Sequence, residues 1–234
     1  MLTQTELSKA IPVVLRFSTK SGELQVESSI KDDQLLLQMN FPLGNPQPVE
    51  LSSELKADIL KLLGNEGAPL PIDSQYCEKT RKLVLQFENL STILNLKPSA
   101  SLTQVNPLRF YFTIMVCKFT KFFFPKLQFT AIDVRGIICT TDQYGGNEKF
   151  NGYDFVSRYF APWVGINEDP VTGSAHTVLA PFWQQKQQKP IDQEFKAFQA
   201  SSRGGEVRIQ ILEESKRVLL KGVACLVSKG TLFV

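Results

Sequence analysis

The chain has 234 residues, with 26 lysines and arginines against 23 aspartates and glutamates and a formal net charge of +3. This length permits one large domain or two small ones with a substantial core. The basic residues are spread along the chain rather than gathered into an arm, which argues against a nucleic-acid partner. The composition predicts an ordinary globular protein.

The cysteines show no spacing typical of a metal site or a disulfide framework, and only one histidine accompanies them: they are Cys77, Cys117, Cys139 and Cys225. We therefore expect reduced thiols and no bound metal. The N-terminal "MLTQTELSKAIPVVLRF" lacks the apolar core of a signal peptide, and no run approaches the roughly 18 apolar residues of a membrane span. The default expectation is a cytoplasmic protein without a membrane partner.

Three short β-rich segments open the chain: "VVLRFST" (13–19), "GELQVESS" (22–29) and "QLLLQMNF" (34–41). Turn residues separate them, so the pattern predicts an antiparallel meander. The following "PLGNPQP" (42–48) holds three prolines, a glycine and an asparagine, which is the strongest linker signal in the chain. We place a domain boundary there, with residues 1–42 before it.

One amphipathic helix and several strands are predicted after the linker. In "LSSELKADILKLLGN" (51–65) the apolar residues Leu55, Ile59, Leu62 and Leu63 have helical spacing, with serine before them and glycine after them. The segments with strand character are 82–87, 136–141, 206–212, 217–222 and 223–234. Strands outnumber helices, which predicts an α+β fold with antiparallel pairing.

The stretch "LRFYFTIMVCKFTKFFFPKLQF" (108–129) differs from the rest because it holds seven phenylalanines and one tyrosine. It is too short and too interrupted by charge to cross a membrane. We expect a buried strand or an interface, since such a segment would promote aggregation if it were exposed.

The decapeptide "NEDPVTGSAH" (167–176) concentrates two acids, a glycine, two hydroxyls and the single histidine. Three interpretations are open. Asp169 and His176 could be an acid/base pair, Gly173 to Ala175 could form an anion-binding turn, or the peptide could simply be a capped helix start.

The residues favour a helix entry at this point. Gly173 can take a positive φ there, with Thr172 or Ser174 as the N-cap, and the N–H groups of Gly173, Ser174 and Ala175 would be unsatisfied. The positive end of the helix dipole would favour a carboxylate or phosphate. Asp169 could exchange a proton with the same ligand, whereas we favour a core position for His176.

The motifs "YFAPWVGINEDPVTGSAH" (159–176), "LAPFW" (179–183) and "SSRGGEV" (201–207) resemble the PhzF-like, phenazine biosynthesis-like family. The resemblance covers nearly the whole chain except the aromatic stretch. The vertebrate-type members of the family are more similar to this chain in sequence than the bacterial members are. It implies the diaminopimelate-epimerase fold, with two similar α+β halves, each a sheet or barrel around a central helix, and an active site between them.

The resemblance also implies a cofactor-independent isomerase that moves a proton beside the carboxylate of a small substrate. Asp169 corresponds to the cleft aspartate, and Gly173, Ser174 and Ala175 to the substrate-binding turn. His176 lies in the same motif. Arg203 and Gly204 match a cleft-facing loop. A homodimer is expected.

The chain departs from the family pattern at its start, where we find neither the Ser-Glu pair whose glutamate shuttles the proton nor the Gly-His-Ala turn. We therefore expect residues 1–42, joined by 223–234, to be the remnant of a first half and 43–222 to be the second half. On this hypothesis catalysis is impaired. The alternative is a non-enzymatic protein that binds protein partners through the remnant of the fold.

Overall fold

A computed structural model describes residues 13–19, 22–31, 34–98, 112–115 and 129–225, and it has an α+β architecture. The strands in this part of the chain are β1 Val13–Thr19, β2 Gly22–Lys31, β3 Gln34–Pro42, β4 Gln47–Pro48, β5 Asp73–Cys77, β6 Lys82–Gln86, β7 Phe112–Met115, β8 Phe129–Ile132, β9 Gly136–Thr141, β10 Phe155–Phe160, β11 Phe195–Gln199, β12 Gly205–Leu212 and β13 Arg217–Ala224. The α-helices are α1 Ser53–Leu62, α2 Leu90–Leu94 and α3 Gly173–Gln187.

Eleven strands form one sheet in the order β1-β2-β3-β13-β12-β11-β10-β9-β6-β5-β4. The predicted meander is confirmed, because β1, β2 and β3 pair antiparallel in sequence order. β13 pairs along its whole length with β3, from Arg217 opposite Pro42 to Ala224 opposite Leu35. The sheet therefore crosses the predicted boundary without a break, and the division into halves stays a prediction.

Two central strands, β10 and β11, are not among those predicted from the sequence. Every residue of β10 is buried, so "FVSRYF" has no alternation of exposed and buried positions that could reveal a strand. β9 is also buried throughout but was predicted from its β-rich sequence, whereas the short β11 was missed although its residues alternate between buried and half-buried. A strand covered on both faces reads as a continuous run, and periodicity alone does not distinguish it from a buried helix segment.

Two apolar cores lie on opposite faces of this central region. Ile138 of β9 packs into a core built around α3, whereas its neighbours Ile137 and Cys139 pack into a second core with α1. α1 begins after Ser52, whose hydroxyl accepts a hydrogen bond from the Leu55 N–H at 3.2 Å. The predicted helix is confirmed.

The buried face of α1 differs slightly from the predicted one. Ile59, Leu60 and Leu63 are buried, whereas Leu62 is only half-buried. The helix is thus rotated a little toward Leu60 when it packs against the sheet.

α3 is the central helix of the larger core and carries its largest side chain. Trp183 is fully buried, stacks on Phe155 with ring centroids 5.7 Å apart, and donates from its indole N–H to Thr140 Oγ1 at 3.0 Å. The predicted apolar positions Val178, Leu179 and Phe182 are likewise buried. This packing fixes α3 against the sheet.

The expectation of burial or an interface for the stretch at 108–129 lies largely outside the described residues. Within that stretch the backbone of β7 is described, and it pairs antiparallel with β8 as a separate two-stranded sheet. No helix in the described ranges has the length and apolar character needed to cross a membrane.

Candidate functional site

The decapeptide connects β10 to α3 along the edge of the larger core. After Phe160 the chain makes a short turn that ends at Gly165, where φ is 83°. It then returns beside β10, so that the Asp169 N–H donates to the Tyr159 carbonyl at 3.1 Å. This contact holds Asp169 at the entrance to the helix.

Gln199, at the end of β11, fixes the backbone of this segment. Its side-chain carbonyl accepts the Thr172 N–H at 2.8 Å, and its side-chain amide donates to the Asp169 carbonyl at 2.5 Å and to Thr172 Oγ1 at 3.2 Å. Gln199 is fully buried. One side chain therefore satisfies the buried polar groups on both sides of Pro170, which would otherwise cost folding free energy.

Thr172 is the N-cap residue of α3, as predicted, but its hydroxyl makes no bond to the helix. The hydroxyl instead donates to the half-buried Asp169 carboxylate. As a result, the N–H groups of Gly173 and Ser174 have no hydrogen-bond partner within the described ranges. Two donors and the positive end of the helix dipole thus stand beside a carboxylate.

Two details of the predicted turn are wrong. The Ala175 N–H is not free, because it donates to the Thr172 carbonyl at 3.1 Å as the first turn tightens. Gly173 does not have a positive φ, because it is already the first helical residue. A Cβ added at Gly173 would meet only Leu220 Cδ1, at an ordinary 3.5 Å. Neither the backbone nor the packing therefore requires glycine at this position.

The predicted loop at Arg203 and Gly204 does lie against the decapeptide. Gly204 has a φ of 70°, and a Cβ on Gly205 would come within 2.4 Å of Val171 Cγ2. Ser201 Oγ donates to the Pro170 carbonyl at 2.7 Å. Arg203 itself is exposed and forms no ion pair with any described residue. The structure thus brings the two predicted segments together, while substrate contact stays a prediction for each residue.

His176 is a core histidine, as favoured from the sequence. Its ring is fully buried, and Nδ1 lies 2.7 Å from the Thr172 carbonyl. Because a carbonyl can only accept, Nδ1 carries the proton, and Nε2 is buried without a partner among the residues that the structure describes. Burial lowers the pKa of His176 from 6.5 to about 4. Its hydrogen bond goes to Thr172 and not to Asp169, so the structure does not bond these two side chains to each other, and both an acid/base role and substrate contact by His176 stay predictions.

Arg158 was not predicted from the sequence, and it anchors the decapeptide through Glu168. The guanidinium of Arg158 contacts the Glu168 carboxylate through two hydrogen bonds, at 2.6 and 2.9 Å. It also donates to the carbonyls of Ile93, Leu94 and Leu96 at the end of α2. Glu168 immediately precedes Asp169, so this buried pair fixes the position of the site. Gln199 was also missed, although a glutamine at an inward position of a strand is a usable signal.

Comparison with known proteins identifies the family. The model of the family described as phenazine biosynthesis-like protein matches residues 2–230. The chain belongs to this family. A mouse phenazine biosynthesis-like domain-containing protein 1 is 38% identical over 224 residues, which are 93% of this chain and 65% of the relative. The chain thus spans just under two thirds of that relative's length.

Bacterial members of the phenazine biosynthesis-like family extend the comparison to solved structures. A protein of Pseudomonas aeruginosa named as an uncharacterized isomerase is 33% identical over 97% of this chain and 67% of its own length. The crystal structure of a PhzF-family protein of Enterococcus faecalis matches 94% of this chain and 65% of its own, with 25% identity and a TM-score of 0.62.

A P. aeruginosa protein described as a predicted epimerase shares only the fold. Its TM-score is 0.55 at 10% identity, over 93% of this chain and 67% of its own. The predicted epimerase-like α+β fold class is confirmed.

Arg158→Met should destabilise the protein by up to about 3–5 kcal/mol, because the partly buried Glu168 carboxylate would lose its partner. Urea unfolding followed by circular dichroism measures the change. Adding Glu168→Gln should restore part of the loss, since the unpaired charge is removed. Equal stability of Arg158→Met and the unmodified chain would contradict the anchoring role.

Acidification should destabilise the protein between pH 6.5 and about 4 through His176. In this window the unfolded chain binds a proton at the histidine and the folded chain does not, so the free energy of unfolding falls as the pH falls. The full effect is about 3 kcal/mol at about 1.4 kcal/mol per pKa unit. Denaturant unfolding at pH 7 and pH 5 tests it. His176→Gln, which does not titrate, should flatten this part of the profile, and an unchanged slope would be the contrary result.

Proposed function

We propose that this protein is an isomerase that moves a proton beside the carboxylate of a small anionic substrate, without a cofactor. Asp169 takes up and returns the proton, and the N–H groups of Gly173 and Ser174 bind the carboxylate. The bacterial relative named as an isomerase supports the reaction class. The substrate and a homodimeric state belong to this proposal as expectations.

One observation carries the proposal: two helix N–H groups that have no partner in the described part of the chain stand beside a carboxylate that is held by a neighbouring hydroxyl. When a base removes a proton from the carbon next to a carboxylate, the negative charge spreads onto the carboxylate oxygens. Donors fixed at those oxygens stabilise that charge without reorganisation. The arrangement therefore favours the transition state. In a substrate with a double bond next to the deprotonated carbon, the charge also reaches the far end of that double bond, and Asp169 returns the proton there while the double bond shifts by one position, which completes the isomerisation.

The hydrogen bonds around Asp169 support its role as the group that takes up and returns the proton. Its N–H and its carbonyl are both bonded, to Tyr159 and Gln199 respectively, so the backbone is fixed while the carboxylate has one oxygen bonded to Thr172. The other carboxylate oxygen, Oδ1, has no bond within the described part of the chain. A carboxylate with one anchored and one free oxygen is suited to proton transfer in a defined direction.

A protein-binding role is the second candidate, and the exposed apolar side chains of the outer strands favour it. Val14, Leu15 and Phe17 of β1, the strand at one edge of the sheet, are about half exposed. Apolar groups concentrated on outer strands are typical of interaction surfaces. This candidate predicts partner binding without proton exchange.

Solvent deuterium exchange into a panel of small carboxylates separates the two candidates. Asp169→Asn should lower the rate of deuterium incorporation, measured by NMR, by about 10²- to 10⁴-fold, because an amide cannot take up the proton. Asp192→Asn is the matched control, since Asp192 is exposed and lies outside the site. If both variants exchange equally fast, Asp169 is not the acid/base group. Absence of exchange in the unmodified chain would favour the protein-binding role.

Gly173→Pro tests the anion-binding turn separately. Proline is well tolerated at the first helical position, Thr172 already has an extended backbone, and the space at Gly173 is open, so the fold should persist. The substitution deletes one N–H donor, and we expect the dissociation constant for butyrate to rise about tenfold. Gly173→Ala keeps the donor and should bind as the unmodified chain does. Equal binding by all three proteins would contradict the turn's role.

A further inference from the structure

Lys82, at the start of β6, is a buried cation without an acidic partner. Only 5% of the residue is exposed, and its ammonium makes no ion pair or hydrogen bond with any described residue. Its nearest recorded contact is the Tyr159 ring, whose centroid lies 5.5 Å from Nζ. A buried ammonium is unfavourable unless it is paired, and one cation–π contact at this distance offsets little of that cost.

Lys82 is not completely sealed from solvent, because 5% of the residue is exposed. The neighbouring Tyr159 keeps a similar share, 6%.

Tyr159 links Lys82 to the site described above. Its carbonyl accepts the Asp169 N–H, and its hydroxyl lies over Gly136, where a Cβ would come within 2.1 Å. Gly136 is the β9 partner of Lys82 in the parallel pair. The absence of a side chain at Gly136 thus lets the tyrosine lie directly beside the lysine.

The register of the sheet shows which end of α3 lies near Lys82. The indole of Trp183 is bonded to Thr140, and the Lys186 ammonium lies 2.7 Å from Asp73 Oδ2. Thr140 and Asp73 are both strand partners of Gln86, the last residue of β6. The last turns of α3 therefore lie beside Gln86.

Lys82 begins the same five-residue strand, so at about 3.3 Å per residue it lies about 13 Å from Gln86. A helix covers the same distance in about nine residues, at about 1.5 Å each. Nine residues before Trp183 the chain is in the first turn of α3. Ala175 in that turn belongs to the same buried cluster as Cys77, the β5 partner of Lys82. Lys82 is thus level with the Gly173 and Ser174 amides.

The surroundings of Lys82 carry an excess of positive charge. Arg135 is exposed and has no ion pair with a described residue, while Arg81 is paired with Asp133 at 2.7 Å. Burial lowers the pKa of Lys82, and the Arg135 and Arg81 cations lower it further, while Cys77 acts in the opposite direction. An anion placed beside Lys82 would relieve both the burial cost and the repulsion between these cations.

We propose that Lys82, together with the Tyr159 hydroxyl, binds a second anionic group of the substrate, so that the protein prefers small acids with two anionic groups. This proposal rests on the proposed function, because the first carboxylate is held by the Gly173 and Ser174 amides. The substrate would bridge the helix N-terminus and the start of β6, with Asp169 between the two anchors. Lys82 is then a specificity-determining residue rather than the acid/base group.

The test compares binding of glutarate, a dicarboxylate, with binding of butyrate, a monocarboxylate of similar length, by calorimetry on the full chain. The unmodified protein should bind glutarate more tightly. Lys82→Met should weaken glutarate binding about tenfold or more and leave butyrate binding unchanged, because a charged hydrogen bond is lost only at the second anion. Lys79→Met is the matched control, since Lys79 is exposed in the same β5–β6 hairpin.

Three results would overturn the proposal: equal glutarate binding by Lys82→Met and the unmodified chain, no preference for glutarate in the unmodified chain, or an equal loss of both ligands in Lys82→Met. Thermal unfolding checks the fold of the variant, which should be at least as stable as the unmodified chain because a buried unpaired charge is removed. Gly173→Pro distinguishes failure of the Lys82 proposal from failure of the proposed function. It should weaken both ligands, and if it weakens neither, the amide site fails whatever Lys82 does.

Discussion

Gln199 satisfies the buried backbone at the entrance to α3, and the geometry of the site depends on it. The chain must turn at Pro170 between a buried strand and a buried helix, where water cannot satisfy its polar groups. The Gln199 amide bonds Asp169 and Thr172 at the same time. The Thr172 hydroxyl can then donate to the Asp169 carboxylate instead of capping the helix. The N–H groups of Gly173 and Ser174 are thereby left without a partner in the described part of the chain. A structural requirement for hydrogen bonding thereby determines which groups can meet a ligand.

A second constraint acts through charge at the opposite side of the decapeptide. Arg158 joins Glu168 to three carbonyls at the end of α2, so that the site is tied to the core around α1 as well as to the core around α3. Breaking such a pair is costly because either partner alone would be a buried charge. Asp169 is therefore held between two rigid connections, Arg158 through Glu168 and Gln199 directly. Proton transfer benefits from this kind of fixed position.

The sequence predicted those features that depend on local pattern. The meander, α1 and the start of α3 follow from alternation, helical spacing and capping residues, and the family motifs place Asp169 correctly beside the helix. Gln199, Arg158 and Lys82 were not predicted, because their roles come from partners distant in the chain. Arg158, for example, contacts the Leu96 carbonyl, 62 positions away. The positive φ expected of Gly173 was wrong because Gly173 is already the first residue of α3 and not part of a turn before it.

Three departures from local stability coincide at one end of α3. Thr172 gives its hydroxyl to Asp169 rather than capping the helix, although such a cap contributes about 0.5–2 kcal/mol. Gly173 occupies a helical position where a side chain would fit and where alanine has the higher helix propensity. Lys82 is a buried cation without a carboxylate partner in the described part of the chain. Natural proteins tend to give up stability of this kind at functional sites. Because Lys82 comes from a different segment than Thr172 and Gly173 but lies at the same level of the fold, a common ligand explains all three more economically than separate structural defects.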